Sequence, residues 1–371
     1  MPLIIQATRD AVLKPLTMVV GIVERRNTLP ILANVLIRKQ ANQLEFLAND
    51  LEVQITTRAD FGVGDETQST TVAARKLLDI LRALPETGDV RLSLDEAKLT
   101  VQAGRSRFAL QTLDAADYPT VTQAEQWSAT FSMSQKALKN LFNQVHFAMA
   151  QQDIRYYLNG LLLVLEPGLV RAVATDGHRL AHSGLTVQDQ AATLDVIIPR
   201  KTIHEMQRLL SDDEQASVQI DVAASQIRFR FDDIEVVSKL VEGKFPDYRR
   251  VIPTGYTRHF DIAREALQAA LQRTAILTTD KLKGVRLQLG DNLLRLSSSN
   301  AEQEEAREEL EVEYAQEPLD VAFNVSYLLD VLSNIKTDSV RWSVQPDANA
   351  SVLITLPNDE EFKYVVMPMR I

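Results

Sequence analysis

The chain contains no cysteine among its 371 residues, and this absence excludes disulfide bonds, thiol catalysis and cysteine-ligated metal centres. It fits a reducing compartment, and we expect the protein in the cytoplasm. The sequence also lacks an apolar run of about 18 residues, so it predicts no membrane-spanning helix. The first residues, Met1–Ala7, carry neither a basic segment nor a long apolar stretch, and we therefore expect no secretion signal.

Motifs of common enzyme classes are missing as well. The sequence has no G-x-x-x-x-G-K-[ST] phosphate loop, no G-x-G-x-x-G, no G-x-S-x-G and no H-E-x-x-H. Asp176, His178 and Arg179 do bring an acid, an imidazole and a guanidinium together. They are compatible with an Asp-oriented histidine base, or with a turn in which Asp176 and Gly177 shape the backbone. With no nucleophile motif and no metal spacing among the histidines, the sequence favours the turn and predicts no catalysis, no metal and no cofactor.

One pattern repeats three times at a period of 125 residues. The segments Val72–Leu81, Ile197–Met206 and Ala322–Val331 carry apolar residues at matching helix positions, with Leu78, Ile203 and Leu328 as one such set. A fixed internal period determines the architecture, and a period of this length corresponds to a whole domain. The sequence therefore predicts three copies of one domain, at residues 1–125, 126–254 and 255–371.

Each copy shows the same succession of elements. An amphipathic helix opens it, with Thr8 or Ser134 as N-cap in the first two copies, and in the second copy apolar residues continue from Leu138 to Met149. Alternating strands and a second helix follow, as in Gln226–Phe231. Two helices and about eight short strands per copy predict an α+β fold in which sheets bury one face under helices.

Charge is distributed unevenly along the chain. A net charge of −10 argues against a nucleic-acid partner, because phosphate contacts need a basic surface. The predicted helices nevertheless carry lysine and arginine on their outward sides. These are either ordinary solvated faces or, if the repeats turn them toward one axis, a positive lining inside an acidic molecule. Glutamates in the third copy and cations in the first are likewise either solvated or the two halves of a head-to-tail contact that closes a ring.

Five long runs make the sequence resemble the bacterial DNA polymerase III β subunit family, the replicative sliding clamps. The runs are residues 152–160, 174–181, 238–251, 323–327 and 364–370, and they come from all three copies. The resemblance implies three DNA-clamp domains per chain, and a head-to-tail homodimer that forms a six-domain ring with helices inside and sheets outside. It implies a non-catalytic processivity factor. The implied partners are double-stranded DNA, the polymerase III alpha subunit, the clamp loader and other proteins with clamp-binding motifs, but no membrane.

The resemblance also implies site residues. Those facing DNA would be Arg26, Arg75, Gln152, Tyr156, Tyr157 and Lys201. Those of a partner-peptide pocket between the second and third copies would be Arg155, Tyr157, Leu158, Thr175, Gly177, His178, Arg179, Leu180, Pro246, Arg250, Val251, Asn324, Tyr327, Val365, Val366, Met367, Pro368, Met369 and Arg370. For each pocket residue taken alone, core packing is the alternative role.

The implied contact between two chains joins the first copy of one to the third copy of the other. Its residues would be Lys76, Lys98, Arg105, Arg107, Phe108 and Leu110 on one side, and Ile276, Leu277, Glu302, Glu304, Glu305 and Glu308 on the other. The third copy has Val325-Ser326 where the others have Arg-Lys, so any positive lining should be uneven. An enzyme around Asp176 and a specialised clamp paralogue remain the competing hypotheses.

Overall fold

The structure is a computed structural model that describes residues 2–24, 29–86, 88–95, 97–188, 190–279 and 283–370. These residues form six α-helices, which are α1 Arg9–Val20, α2 Ala74–Ala83, α3 Gln135–Asn143, α4 Arg200–Leu209, α5 Arg264–Ala275 and α6 Val325–Asn334. None of the helices formed by the described residues is long and apolar enough to cross a membrane.

The described residues also form 24 β-strands. The first twelve are β1 Leu3–Thr8, β2 Asn34–Gln40, β3 Gln43–Asn49, β4 Val53–Ala59, β5 Gln68–Ala73, β6 Asp89–Asp95, β7 Lys98–Ala103, β8 Ser106–Leu113, β9 Ala129–Ser134, β10 Gly160–Glu166, β11 Leu169–Thr175 and β12 Arg179–Thr186. The others are β13 Leu194–Pro199, β14 Ser217–Val222, β15 Gln226–Phe231, β16 Ile234–Lys239, β17 Arg258–Ala263, β18 Gly284–Gly290, β19 Leu293–Ser299, β20 Glu305–Glu311, β21 Leu319–Asn324, β22 Ser339–Val344, β23 Val352–Leu356 and β24 Asp359–Val366.

The first of two compact units comprises residues 1–135 and 204–240. Its strands form one twelve-stranded sheet in the order β1-β6-β7-β8-β5-β2-β3-β4-β16-β15-β14-β9. The first copy and part of the second share this sheet because β4 pairs with β16, with Ile55 opposite Val236. Helix α1 buries Val12, Leu16 and Val19 against it, and each fully buried aliphatic side chain of this kind contributes about 1.5–3 kcal/mol.

The second unit comprises residues 136–203 and 241–371. It holds an eight-stranded sheet in the order β13-β10-β11-β12-β24-β23-β22-β17 and a four-stranded sheet in the order β20-β19-β18-β21. The eight-stranded sheet is continuous because β12 pairs with β24, which places Leu180 opposite Val365. Helix α5 covers the four-stranded sheet and buries Leu267 and Leu271.

The period of 125 residues reappears in the hydrogen bonding. Val72 at the end of β5 pairs with Thr112, and Ile197 in β13 forms an isolated bridge with Val241. In the third copy the equivalent residue is Ala322 in β21, whose carbonyl accepts a bond of 2.8 Å from the amide of Met369. Each copy therefore uses the same strand to receive a later segment of the chain.

The helix starts are closer to the prediction than the helix ends. The side chain of Thr8 accepts a hydrogen bond from the amide of Ala11, which is the N-cap expected from the sequence. The second copy differs, because α3 ends at Asn143 and the chain continues through a short 3₁₀ turn at His146–Ala148. The apolar pattern out to Met149 thus belongs to buried residues of two elements, and the prediction of one continuous helix was wrong.

The connector that follows β8 is anchored by Tyr118. Its ring is buried against Leu36 and Leu47. Its hydroxyl donates to the carbonyl of Asn34 and accepts from the amide of Asn49, both at 3.1 Å. Burial raises the pKa of Tyr118 to about 12, because the phenolate would lose its water.

Replacing Tyr118 with phenylalanine should lower the free energy of unfolding by about 1–3 kcal/mol, because two buried backbone groups lose their partner. The raised pKa means that the folded state retains the phenol proton more tightly than the unfolded state does. This stability is complete below about pH 10 and is lost as the pH rises toward about 12. Urea unfolding at pH 7 and pH 11 measures both effects.

Tyr156→Phe is the matched control, since that ring is 57% exposed and should tolerate the change at either pH. Equal effects of the two substitutions would contradict the assigned role of Tyr118.

Candidate functional site

A cavity of about 350 Å³ opens in the second unit where β12 meets β24. It is lined by the ends of these strands, by the turn before β12, by residues 155–158 and by residues 245–251. The lining residues are Arg155, Tyr157, Leu158, Thr175, Gly177, His178, Arg179, Leu180, Phe245, Pro246, Tyr248, Val251, Val365 and Met367.

The floor of the cavity is part of the hydrophobic core. Leu158, Leu180 and Val365 are each 1% exposed, and they belong to one buried cluster with Phe245 and Tyr248. At the mouth the apolar surface stays open, since Val251 is 45% exposed and Met367 is 52% exposed. The cavity can therefore remove an apolar side chain from water, with a flexible methionine available to adapt to its shape.

The turn between β11 and β12 forms one rim. The hydroxyl of Thr175 accepts from the amide of Gly177 at 3.1 Å and donates to the carbonyl of Arg179 at 2.6 Å. Gly177 has φ +90°, and a Cβ there would lie 2.9 Å from a guanidinium nitrogen of Arg155. Glycine is favoured at this point by the backbone conformation, which other residues rarely adopt, while the guanidinium of Arg155 could shift aside. The amide of Met367 then donates to the carbonyl of His178 at 2.9 Å and brings the chain after β24 onto the turn.

Arg179 anchors this rim through hydrogen bonds. Its guanidinium donates to Asp176 at 3.1 Å, to Asp330 at 2.6 Å and to the carbonyl of Phe147 at 2.6 Å. It also stacks over the ring of Tyr327, 4.4 Å from the centroid. Burial lowers its pKa, but Tyr364 and Asp330 outweigh this effect and the net shift is upward. Arg179 is therefore a permanently charged link between the turn and helix α6.

The loop at residues 152–159 forms the other rim. The side chain of Asn159 accepts from the amide of Asp153 at 3.0 Å and donates to its carbonyl at 2.9 Å. The carboxylate of Asp153 receives two bonds from the guanidinium of Arg155, at 3.0 and 2.7 Å. These bonds lower the pKa of Asp153 to about 2. Arg155 also donates to the carbonyl of Asp176 at 3.1 Å, which joins the two rims.

The same geometry argues against a histidine base. One carboxylate oxygen of Asp176 accepts the amides of His178 and Arg179, at 2.9 and 3.1 Å, and the other accepts the Arg179 guanidinium. No described residue hydrogen bonds to the imidazole of His178. The described residues also contain no group of three acidic, histidine or cysteine side chains that could hold a metal ion. Asp176 thus binds the backbone of the turn, and His178 lines the cavity.

Most of the predicted pocket residues line the cavity, and the others lie outside its lining. Tyr327 lies against Arg179, and its carbonyl accepts from the hydroxyl of Tyr364 at 2.9 Å. Val366 is fully buried in β24. The predicted residues that do not line the cavity are Arg250, Asn324, Tyr327, Val366, Pro368, Met369 and Arg370.

Two residues of the cavity wall were not predicted. Phe245 and Tyr248 are each 6% exposed and line the cavity on either side of Pro246, which the resemblance did imply. The ring of Tyr248 packs on the imidazole of His182 at 5.6 Å, and burial lowers the pKa of His182. The available signal was the spacing of two aromatic residues around Pro246, which marks both a bend and a buried anchor.

The residues predicted to face DNA are distributed over both units. In the first unit Arg75 is exposed on α2 and donates to the carbonyl of Val23 at 2.5 Å, while Arg26 lies outside the described residues. In the second unit Gln152 and Tyr156 are exposed, and Tyr157 and Lys201 are half-buried. Their approach to DNA stays a prediction.

The predicted chain-to-chain contact involves two strand edges. In the first unit β8 pairs with β5 only near Leu113, so Arg107, Phe108 and Leu110 lie on a largely open edge. Lys76, Lys98 and Arg105 are exposed. In the second unit β20 is the last strand of its sheet, and Ile276 is 77% exposed. Leu277 is half-buried, while Glu302, Glu304 and Glu305 are exposed.

Glu308 already forms an ion pair with an arginine of the same chain. It accepts two bonds from Arg273, at 2.8 and 2.6 Å, and they lower its pKa. Its charge is thus largely neutralised before any partner approaches.

Family models match the chain in three consecutive stretches. The N-terminal domain of the DNA polymerase III beta subunit matches residues 1–122, the central domain residues 132–247 and the C-terminal domain residues 249–370. The chain belongs to the DNA polymerase III beta subunit family. The expected α+β fold with three clamp domains is thereby confirmed, while the boundaries at residues 125 and 254 stay a prediction.

Relatives of this beta subunit cover the full chain. The beta sliding clamp of Pseudomonas aeruginosa is 47% identical over 364 residues, and that of Escherichia coli is 40% identical over 365, in each case 98% of both chains. The crystal structure of the Pseudomonas aeruginosa subunit has a TM-score of 0.93 at 46% identity and covers 99% of this chain and 100% of that one. The Caulobacter crescentus clamp has a TM-score of 0.91 at 36% identity, with 100% of both chains covered.

Arg179→Leu should lower the free energy of unfolding by about 3 kcal/mol, since it removes a charge on which a carboxylate and a buried carbonyl depend. Arg155→Leu is the matched control, because that arginine lines the same cavity but its side chain is 45% exposed. Its loss should have a much smaller effect on the free energy of unfolding, because solvent screens an exposed charge. Urea unfolding of the two variants measures the difference, and equal losses would contradict the role of Arg179 as a buried link.

Proposed function

We propose that this beta subunit is the replicative sliding clamp of its cell: a head-to-tail homodimer that encircles duplex DNA and tethers the replicative polymerase to it. The match of all three clamp domains along the whole chain is the observation that carries the proposal. The relatives it matches over their full length are named beta sliding clamps.

The cavity at the β12–β24 joint is the proposed docking site for the polymerase. Its buried apolar floor and adaptable mouth suit short linear segments of the polymerase III alpha subunit, the clamp loader and other partners. Because a cavity of about 350 Å³ holds only one or two side chains, partners would compete for it. Arg155 and His178 on the rims are placed to bind polar atoms of such a segment.

DNA contact in this proposal is electrostatic and independent of sequence. Arg75 and Lys201 would meet phosphates, while Gln152 and Tyr156 would approach the duplex from an exposed loop. Retention on DNA then comes from closure of the ring and needs no tight binding. A net charge of −10 agrees with this, because only the inner surface of the ring would have to be positive.

Ring closure would join the open edge of β8 in one chain to the open edge of β20 in another. Arg105 and Arg107 would then lie near Glu304 and Glu305, with Phe108 and Ile276 supplying apolar contact. Edge strands offer unpaired backbone groups, so this contact extends both sheets across the interface. In this proposal the protein has no catalytic activity and the polymerase carries out the chemistry.

Retention on closed circular DNA after loading should resist high salt and should disappear when the circle is linearised, because a topological link has no bond for salt to break. Gel filtration of the loaded complexes before and after restriction cleavage measures this. Retention that is the same on both DNA forms would refute the ring.

An interface variant separates ring closure from DNA affinity. Ile276→Asp places a charge on a side chain that is 77% exposed in one chain, so it should give a monomer that is not retained on circles. Leu51→Asp is the control, since Leu51 is also exposed and its φ of 78° suits aspartate. This control should remain dimeric.

Val251→Asp should weaken binding of a fluorescent peptide from the polymerase III alpha subunit at least 10-fold, about 1.4 kcal/mol, because it puts a charge at the mouth of an apolar cavity. Retention on circular DNA should be unchanged. Fluorescence anisotropy measures the peptide affinity.

Ile154→Asp is the control for the peptide assay, since Ile154 is 97% exposed but does not line the cavity. If both variants bind the peptide equally well, the cavity is not the docking site.

A further inference from the structure

A second cavity, of about 960 Å³, lies in the second unit beside strand β17. It shares no lining residue with the cavity at β12 and β24. Five consecutive residues of β17, 259–263, line it, together with residues 291–293 and 311–313. Side chains of a strand alternate between the two faces of its sheet, so an unbroken run of lining residues means that the edge of β17 borders the cavity.

The edge of β17 carries backbone groups without a strand partner. Among the described residues β17 pairs with β22 alone. The amide of Arg264 donates to the carbonyl of Asp338 at 2.9 Å. The two-residue alternation of an antiparallel ladder then turns the N–H and C=O groups of Phe260 toward β22, and those of His259 and Asp261 toward the cavity. Such groups form a template for one more strand.

The first copy of the domain shows what this edge can accept. In β1, Ile5 forms a bridge with Gly62, and the amide of Val63 donates to the carbonyl of Ile4 at 3.1 Å. An extended segment of the chain itself therefore pairs with the edge of β1. The helix that follows begins four residues after Ile5.

The third copy leaves the equivalent edge open. Phe260 also stands four residues before its helix, so His259 corresponds to Ile4, and its carbonyl faces the cavity. The loop after β20 does not bridge to β17. It places the buried ring of Tyr314 against the edge of the Phe260 ring, with centroids 6.2 Å apart. The Tyr314 hydroxyl donates to the carbonyl of Glu317 at 2.9 Å and fixes the loop in this position.

The charges around the cavity indicate what would fill it. Arg341 is already neutralised by Asp261, through two bonds of 2.8 and 2.9 Å. Asp291, Glu311 and Glu313 are exposed at the opposite wall, which leaves the cavity with negative charge. A positively charged segment complements it.

We propose that the edge of β17 is a second docking surface, which binds an extended basic segment of a partner protein as an additional antiparallel or parallel strand. The backbone of His259 and Asp261 pairs with the segment, and Glu311 and Glu313 attract its cations. Main-chain pairing supplies the affinity and the acidic wall supplies the preference for lysine and arginine.

The test uses the full-length dimer and an acetylated, fluorescent Lys-Val-Lys-Val-Lys-Val peptide as the probe. His259→Pro removes the outward N–H group at a position where an edge strand tolerates proline, whereas His259→Thr keeps it. Both variants remove the imidazole that contacts Ser343 at 2.8 Å. Anisotropy should show at least a 10-fold loss of affinity for the proline variant and a change of less than about 2-fold for the threonine variant.

The thermal midpoint of the His259→Pro variant would reveal whether proline disturbs the strand. A second experiment therefore leaves β17 unchanged. The double variant Glu311→Gln and Glu313→Gln should bind the peptide about 3–10-fold more weakly at low salt and should lose most of the salt dependence. Hydrogen exchange should show protection at residues 259–261 when the peptide binds.

Several results would overturn the proposal. They are an absence of binding to the wild-type protein, equal affinities of the proline and threonine variants, and protection that falls elsewhere. Competition by the alpha-subunit peptide would place the probe in the cavity at β12 and β24 instead. If His259→Pro changed the oligomeric state of the protein in the absence of peptide, the edge would instead bind a second copy of the chain.

Discussion

The backbone pairing of β12 with β24 is the contact on which the rest of the second unit depends. It brings Leu180 opposite Val365, which is 185 positions (365 − 180) further along the chain. Both the floor of the apolar cavity and its methionine-bearing mouth exist only when this register is correct. A shift of either strand by one residue would turn its own side chain, Leu180 or Val365, to the opposite face of the sheet. Because closing so long a loop carries a large entropy cost, the pairing needs further contacts to hold it.

Buried polar groups supply these contacts. Arg179 begins β12 and reaches both the turn before it and helix α6, and the hydroxyl of Tyr364 in β24 donates to the carbonyl of Tyr327 in the same helix. Burial raises the pKa of Tyr364, so the hydroxyl stays a donor at any ordinary pH. An ion pair in such a place is costly to break, because removal of one partner leaves the other charge buried without compensation. The same contacts explain why Asp176 and Arg179 serve as structure, because both carboxylate oxygens of Asp176 bind the turn.

Much of the fold could be predicted because the same sequence pattern occurs in three copies. A period of 125 residues located α2, α4 and α6, and alternation located strands such as β15. The extent of α3 could not be read from the pattern, because apolar residues beyond Asn143 serve the core equally well from a 3₁₀ turn. The proline at position 246 indicates a bend in the chain. It could not show that Phe245 and Tyr248 would become a wall, since their neighbours come from distant strands. The partner of Arg179 likewise lies 151 residues away, beyond any local pattern.

Repetition also explains why the proposed docking surfaces lie where the copies differ. All three copies must close their sheets, and Val72, Ile197 and Ala322 do this in equivalent ways. An edge that is bridged by Gly62 in the first copy is not needed for folding in the third, where Tyr314 and Phe260 pack the interior instead. Once an aromatic pair has taken over the packing, the backbone groups of the edge are free of a structural role. Unpaired edges invite aggregation, so a chain that retains one must either protect it by charge or use it. The glutamates beside β17 protect the edge by their charge. The same charge determines which partner can bind there.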